Sequence, residues 1–282
     1  MNTIKIAGVP EHFNLPWQLA IDNNEFAKQD INLQWTNVPE GTGKLCEMLR
    51  NGDTDLAVIL TEGIIKDILA GNASKIIQVY VKSPLIWGIH VATNSNYQTV
   101  SDLKNTKAAI SRKGSGSELM AYVNAHNQNW KTENLQFEII NTIDGAVEAL
   151  TNKQADYFMW ERFMTKPLVD KGIFRRLDDC LTPWPSFVIV ARDETIENHP
   201  EIVQTILKII NAKTSSFKEI PEINTTLANR FNQKLEDIEQ WISRTEWSQD
   251  PLNEEMLNNI QNQLFDFGII NKKGTFAQVA VR

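Results

Sequence analysis

Arg112-Lys113-Gly114-Ser115-Gly116-Ser117-Glu118 lies in the middle of the chain, and its reading decides the fold. A short β-like run, Lys107 to Ile110, leads into it, and the pattern Leu119, Met120, Tyr122, Val123 leads out as an amphipathic helix. Strand, glycine-serine turn and helix start together form a cradle for a negatively charged or strongly polar group. Glycine lets the backbone approach a ligand, the first helical N–H groups lack partners, and the helix dipole favours an anion there. Gly114, Ser115, Gly116 and Ser117 are therefore expected to contact a ligand, with Arg112 able to hold an acid group. The plainer alternative is a connecting turn whose Ser117 caps the helix.

Outward from this turn, a βα series continues through Leu135 to Asn141 (strand), Ala146 to Leu150 (helix) and Asp156 to Trp160 (strand). A helix after Glu161 and a strand near Phe174 to Leu177 complete it. Two long apolar runs, Leu85–Ala92 and Ser186–Ala191, bracket the series. They read as paired crossover strands, so hinge strands are expected near 86–92 and 186–191. The predicted division is a discontinuous lobe of residues 1–85 and 190–282, with a second lobe, 93–185, inserted into it. The first lobe shows strand-like runs at Ile4–Ala7, Ile31–Val38, Asp55–Leu60 and Ile76–Val81, each joined to the next by a helical pattern or a turn. Such βα units predict parallel sheets covered by helices. From His199 onward the chain reads as almost entirely helical, with Pro200 in a first turn and Ile202, Val203, Ile206, Leu207 and Ile210 as a buried stripe.

Composition narrows the function. The chain has 282 residues, 42% of them hydrophobic, and a formal charge of 28 − 35 = −7. An acidic chain with no basic footprint argues against nucleic acid as a partner. Cys46 and Cys180 are far apart and in no metal-ligand spacing, so neither a disulfide framework nor a metal site is expected. No apolar run approaches the roughly 18 residues that span a bilayer, which argues against membrane insertion. The chain opens on the strand-like Ile4-Lys5-Ile6-Ala7 without signal-peptide features. The expected location is cytoplasmic as the sequence stands, and periplasmic or extracellular if a signal peptide has been removed.

The order of motifs resembles the periplasmic-binding-protein type II fold. Within it the chain is similar to the branch that binds nitrate, sulfonates, taurine and thiamine-pyrimidine precursors. The resemblance is carried by Ile6-Ala7-Gly8-Val9-Pro10, Gly41-Thr42-Gly43, Asn51-Gly52-Asp53-Thr54-Asp55-Leu56-Ala57, Val100-Ser101-Asp102-Leu103-Lys104, Gly114-Ser115-Gly116-Ser117 and Ala149-Leu150 leading to Ala155-Asp156. Glu161 falls where that group often has an acidic residue before a proline, although Arg162 follows it here. The resemblance implies an α/β, two-lobed fold with two crossover hinge strands and a helical C-terminal region. It also implies a small polar or anionic organic ligand, of sulfonate or thiamine-pyrimidine-precursor type, held in the cleft between the lobes. The role would be that of a transport receptor or a cytoplasmic carrier or sensor, with an ABC permease as partner if the protein is exported.

In open α/β sheets, ligands sit beyond the carboxyl ends of the strands. The expected contacts are Pro10, Glu11, His12, Phe13 and Asn14, then Gly41, Thr42 and Gly43, and Thr61 and Glu62. Trp87, Trp160 and Glu161 join the Arg112–Ser117 turn on the other lobe. Trp87, Trp160 and Trp184 are candidates for an aromatic clamp, with core packing as the competing reading and the favoured one for Trp184. Glu11, Glu62 and Glu161 suit an amine or aminopyrimidine, though such charges are also commonly just solvated. His12 reads equally as a ligand donor or a surface-turn histidine, His90 as a satisfied core residue, and His126 and His199 as helix-surface residues. No catalytic constellation, metal site or cofactor is expected. An enzyme on the same fold, of the thiamine-pyrimidine or menaquinone pathways, is the alternative; a regulatory effector domain would need a DNA-binding segment ahead of Ile4.

Overall fold

In the computed structural model, which describes residues 1–281, the chain forms two α/β units. Among the described residues, the first comprises 1–83, 184–265 and 270–281, and the second 84–183 and 266–269.

The first unit is built on strands β1 (Asn2–Gly8), β2 (Ile31–Asn37), β3 (Leu56–Leu60), β4 (Ser74–Val81) and β10 (Phe187–Arg192), in the order β2-β1-β3-β10-β4. The β1–β2 and β1–β3 pairs are parallel, whereas β10 runs antiparallel to both β3 and β4. Helices α1 (Leu15–Asp22), α2 (Thr42–Asn51) and α3 (Thr61–Leu69) follow the first three strands. α7 (Asp193–Asn198) and α8 (Pro200–Ser215) begin the helical C-terminal region, followed by α9 (Ile223–Phe231), α10 (Leu235–Arg244), α11 (Glu254–Asp266) and α12 (Phe276–Val279). The residues of α8 that face inward are Val203, Ile206 and Ile210, spaced for one helix face.

The second unit repeats the plan. Its strands β5 (Ile86–Ala92), β6 (Lys107–Ile110), β7 (Gln136–Ile139), β8 (Tyr157–Glu161) and β9 (Phe174–Leu181) lie in the order β7-β6-β8-β5-β9. Here β6 pairs in parallel with β7 and β8, and β5 is antiparallel to β8 and β9. Helices α4 (Gly116–Asn127), α5 (Ile143–Thr151) and α6 (Arg162–Asp170) complete it. Ala109, Ile140, Ala146, Ala149, Leu150, Ala155, Phe158 and Phe174 form one buried cluster of its core.

Three features depart from the sequence reading. Both sheets are mixed rather than parallel; β5 and β10 are buried on both faces, so an apolar run does not disclose strand direction. Each long apolar run is an interior strand of one sheet, and the chain passes between units a few residues earlier, at 83–84 and 183–184. The strand begun at Phe174 continues through Asp178, Asp179 and Cys180, because β9 lies at a sheet edge and tolerates charge there.

The start of α3 is packed tightly against α2. A Cβ added to Gly63 would lie 2.2 Å from Cγ2 of Thr42. Helix propensity alone would favour Gly63→Ala by about 1 kcal/mol. We expect the clash to reverse the sign and cost roughly 1–2 kcal/mol by urea unfolding. Adding Thr42→Ser, which deletes Cγ2, should restore most of it; undiminished stability of Gly63→Ala alone would show that Thr42 turns aside freely.

Candidate functional site

At the carboxyl edge of the first sheet, β1 ends in Gly8 and the chain makes a tight turn. Asn14 donates from Nδ2 to the Val9 carbonyl at 2.8 Å, and its backbone N–H donates to Glu11 at 3.0 Å. This closes residues 9–14 over the strand end. His12, Phe13 and Asn14 are buried, and Pro10 and Glu11 half-buried. The Phe13 carbonyl accepts from the Tyr80 hydroxyl at 2.7 Å and from the Trp247 indole at 3.2 Å. Its ring meets Phe187 at 4.9 Å and Trp241 at 5.2 Å between centroids.

His12 is not a surface-turn residue. Its ring is fully buried between Phe231, at 4.5 Å, and Trp241, at 5.0 Å. Desolvation lowers its pKa to about 4, with a smaller opposing contribution from Gln233, so it is neutral at ordinary pH. Glu11, beside it in sequence, is pushed the other way, up to about 7, by desolvation.

Next along the sheet edge, Thr61 and Glu62 open α3 immediately after β3. Thr61 donates from its hydroxyl to the Pro185 carbonyl at 2.6 Å and from its N–H to the Ser186 carbonyl at 3.2 Å. Glu62 is 1% exposed. Its Oε2 accepts from the Trp184 indole at 2.8 Å, and its Oε1 is buried with no hydrogen-bond partner among the described residues. Burial raises the carboxyl to about 7, against smaller lowering contributions from its own backbone N–H and from Trp184. Thr42 begins α2 behind Gly41, whose φ of +77° suits glycine, and touches the Gly63 position. Gly43 is exposed within the first helical turn. The three loops expected in this lobe therefore do converge on one edge, tied together by Phe13–Phe187 and Thr42–Gly63.

In the second unit, β6 and β8 end at the same edge, where the antiparallel β5 begins. Register places Trp87 opposite Glu161 on one side and Cys180 on the other. The Trp87 and Trp160 rings meet edge to face, with centroids 6.1 Å apart. Glu161 is buried, and its Oε2 accepts from the Met164 N–H at 2.7 Å, capping α6.

The glycine-serine turn is present, but turned in on itself. Ser115, not Ser117, is the cap of α4: its Oγ accepts from the Glu118 N–H at 3.4 Å. Ser117 Oγ instead accepts from the Ser111 N–H at 2.9 Å and lies 3.0 Å from Ser115 Oγ. The Gly114 N–H donates to the Glu118 carboxylate. The turn thus already holds an anion, its own Glu118, and an incoming one would meet that charge. Gly116 lies in the first helical turn, Gly114 is exposed, and Arg112 is half-buried beside them.

His90 is a satisfied core histidine, with Nδ1 3.3 Å from the Phe158 carbonyl and Nε2 3.0 Å from the Thr165 hydroxyl. Cys46 and Cys180 are both buried and are not joined in a disulfide. Sequence reasoning missed Trp184 as the partner of Glu62, Tyr80 and Trp247 as the clamps on Phe13, and Glu118 as the occupant of the turn. Only the Glu118 contact had a sequence signal, a serine followed three residues later by glutamate.

Both units, each a mixed five-stranded sheet of matching strand order flanked by helices, carry loops at the carboxyl edge. Over 97% of this chain and 92% of the other, the structure is similar to the CA3427 gene product of Candida albicans, with a TM-score of 0.89 and 26% identity. That protein exhibits the generic periplasmic-binding-protein fold. This chain has the type II periplasmic-binding-protein fold. Residues 87–180 match the family model of Ca3427-like periplasmic binding proteins. The alkanesulfonate-binding protein SsuA of Xanthomonas axonopodis pv. citri, bound to MOPS, has the same fold: 16% identity, TM-score 0.83, over 100% of this chain and 99% of that one. So does the ligand-binding component of an ABC-type import system from Staphylococcus aureus: 14% identity, TM-score 0.77, over 100% and 97%. Comparison with curated proteins finds no significant match. Among the described residues, no helix is long and apolar enough to cross a membrane, and no group of His, Cys, Asp and Glu could hold a metal ion.

Glu62 makes stability depend on pH in a defined direction. Its folded pKa lies above the unfolded value, so its favourable contribution is complete below the unfolded pKa and is lost as pH rises from about 4.5 to about 7. Glu62→Gln, which keeps an acceptor for Trp184, should be more stable than wild type at pH 8 by up to roughly 3 kcal/mol. The gap should close as pH falls toward 5. Melting curves across that range test this, and a pH-independent difference would mean that Glu62 stays ionised throughout.

Proposed function

We propose that this protein is a substrate-binding protein for one small organic ligand, contacted by loops at the carboxyl edge of the first unit's sheet. The observation that carries the reading is Glu62: a carboxyl 1% exposed, half satisfied by Trp184, with its second oxygen bare. A buried acceptor without a partner costs about 1–3 kcal/mol, more when charged, and a ligand donor removes that cost. Asn14, at the same edge, also leaves its Oδ1 without a partner among the described residues. The fold shared with SsuA makes a sulfonate one candidate ligand type. The bare groups of Glu62 and Asn14 are acceptors, however, and Glu118 fills the glycine-serine turn. Both observations favour the thiamine-pyrimidine-precursor type, or another ligand presenting N–H donors, over a sulfonate. An ABC permease is the partner this role would require if the protein is exported.

Calorimetric titration with 4-aminopyrimidine and with MOPS tests the reading. The aminopyrimidine should bind, and Glu62→Gln should weaken it ten- to a hundredfold, as expected for one charge-assisted hydrogen bond of about 1.5–3 kcal/mol. Tight MOPS binding that Glu62→Gln leaves intact would reverse the preference and point to the sulfonate type.

A further inference from the structure

We infer that Trp87 Nε1 and Asn124 Nδ2 form a polar subsite within the second unit, which receives an uncharged hydrogen-bond acceptor, such as a carbonyl oxygen, of a small organic molecule. The inference rests on the reading that the protein binds a small organic ligand, but not on Glu62. Both residues lie within the second unit and are almost completely buried, Trp87 at 4% exposure and Asn124 at 2%. Both nitrogens are donors, and neither has a partner among the described residues. Buried N–H groups are almost always satisfied, so two of them in one unit require an explanation.

Their proximity follows from register and helix geometry. Trp87 on β5 stands directly opposite Cys180 on β9, which puts the two side chains on one face of the sheet. Asn127, in the last turn of α4, donates from Nδ2 to Cys180 Sγ at 3.8 Å, so α4 packs on that face. Asn124 is three residues earlier, hence on the same side of the helix. The neighbouring α6 takes the opposite face, where Thr165 meets His90. Asn124 is therefore directed toward the strip that holds Cys180 and Trp87, at the edge where β5 begins.

The chemistry of the strip selects the occupant. Two N–H donors require an acceptor. Glu161, paired with Trp87 at the strand end and with its carboxylate capping α6, opposes an anion nearby. The Cys180 thiol is held neutral, its pKa pushed up to about 12 chiefly by burial, and supplies no charge of either sign. A neutral oxygen on a flat group fits best, because the half-buried Trp160 ring lies edge-on against Trp87 and can cover a planar molecule.

Benzamide is the probe: planar, uncharged, with one strong acceptor oxygen. Benzamidine, the same shape with donors only, is the control. The chain has 8 tryptophans, so Trp87→Phe identifies the Trp87 indole N–H resonance by its loss from the ¹⁵N–¹H spectrum. That resonance should move downfield saturably with benzamide and not with benzamidine. Trp87→Phe and Asn124→Leu should each weaken benzamide binding roughly three- to tenfold, the worth of one neutral hydrogen bond. The melting temperature of Trp87→Phe should be unchanged or raised, since a costly bare donor is removed while the ring packing stays. An unmoved Trp87 resonance at millimolar benzamide, or equal binding by wild type and Trp87→Phe, overturns the proposal. The titration is repeated in Glu62→Gln: a Trp87 shift that persists there upholds this subsite even if the aminopyrimidine reading fails, and a shift abolished there overturns it as a site independent of Glu62.

Discussion

The fastening of residues 184–187 to residues 60–62 is the constraint on which the first unit depends. Phe187 pairs with Leu60 in the ladder, the Thr61 hydroxyl and N–H bind the carbonyls of Pro185 and Ser186, and the Trp184 indole binds Glu62. Four successive residues of the returning chain are thereby tied to three residues at a strand end, across more than 120 positions of sequence. This sets β10 between β3 and β4 and closes the middle of the sheet. It also drags a carboxyl group into the interior at the start of α3, where only one of its two oxygens is answered. Structural need and an unmet polar group arise from the same contact.

Charge at the two sheet edges follows from how each group is answered. Glu62 and Glu11 lose water without gaining a cation among the described residues, so both carboxyls rise toward neutrality. His12 loses water among aromatic rings and becomes a plain imidazole. Glu118, by contrast, sits where the backbone provides an N–H, and it occupies a turn that would otherwise suit a foreign anion.

The C-terminal helices do more than complete the first unit's core. Trp241 of α10 and Phe231 of α9 enclose His12, while Trp247 reaches the Phe13 carbonyl beside Tyr80. Residues 246–250 also run along β4, with backbone bonds from Ser248 to Tyr80, Lys82 to Glu246 and Val79 to Asp250, so its outer edge is not left bare. The loop after β1 is therefore held rigidly by residues more than two hundred positions away, which is how a turn can present polar atoms reproducibly.

Local pattern alone determined a good deal. Apolar runs bounded by glycine and polar turns located the interior strands, the 3.6-residue stripe of α8 is visible in Ile206 and Ile210, and the order of βα units named the architecture. Those signals are local because they reflect backbone period and burial, which each segment carries within itself. What lay beyond reach were the contacts that depend on partners distant in sequence. The sequence does not distinguish a buried from an exposed His12, since the answer lies with Phe231 and Trp241. It shows that Glu62 opens a helix, but not that Trp184 would bind one oxygen and leave the other bare. Strand direction was hidden for β5 and β10 because burial on both faces erases the alternation that would reveal it. Tertiary structure decided these points, for desolvation and hydrogen-bond satisfaction depend on which atoms surround a group in space, not on which precede it in the chain.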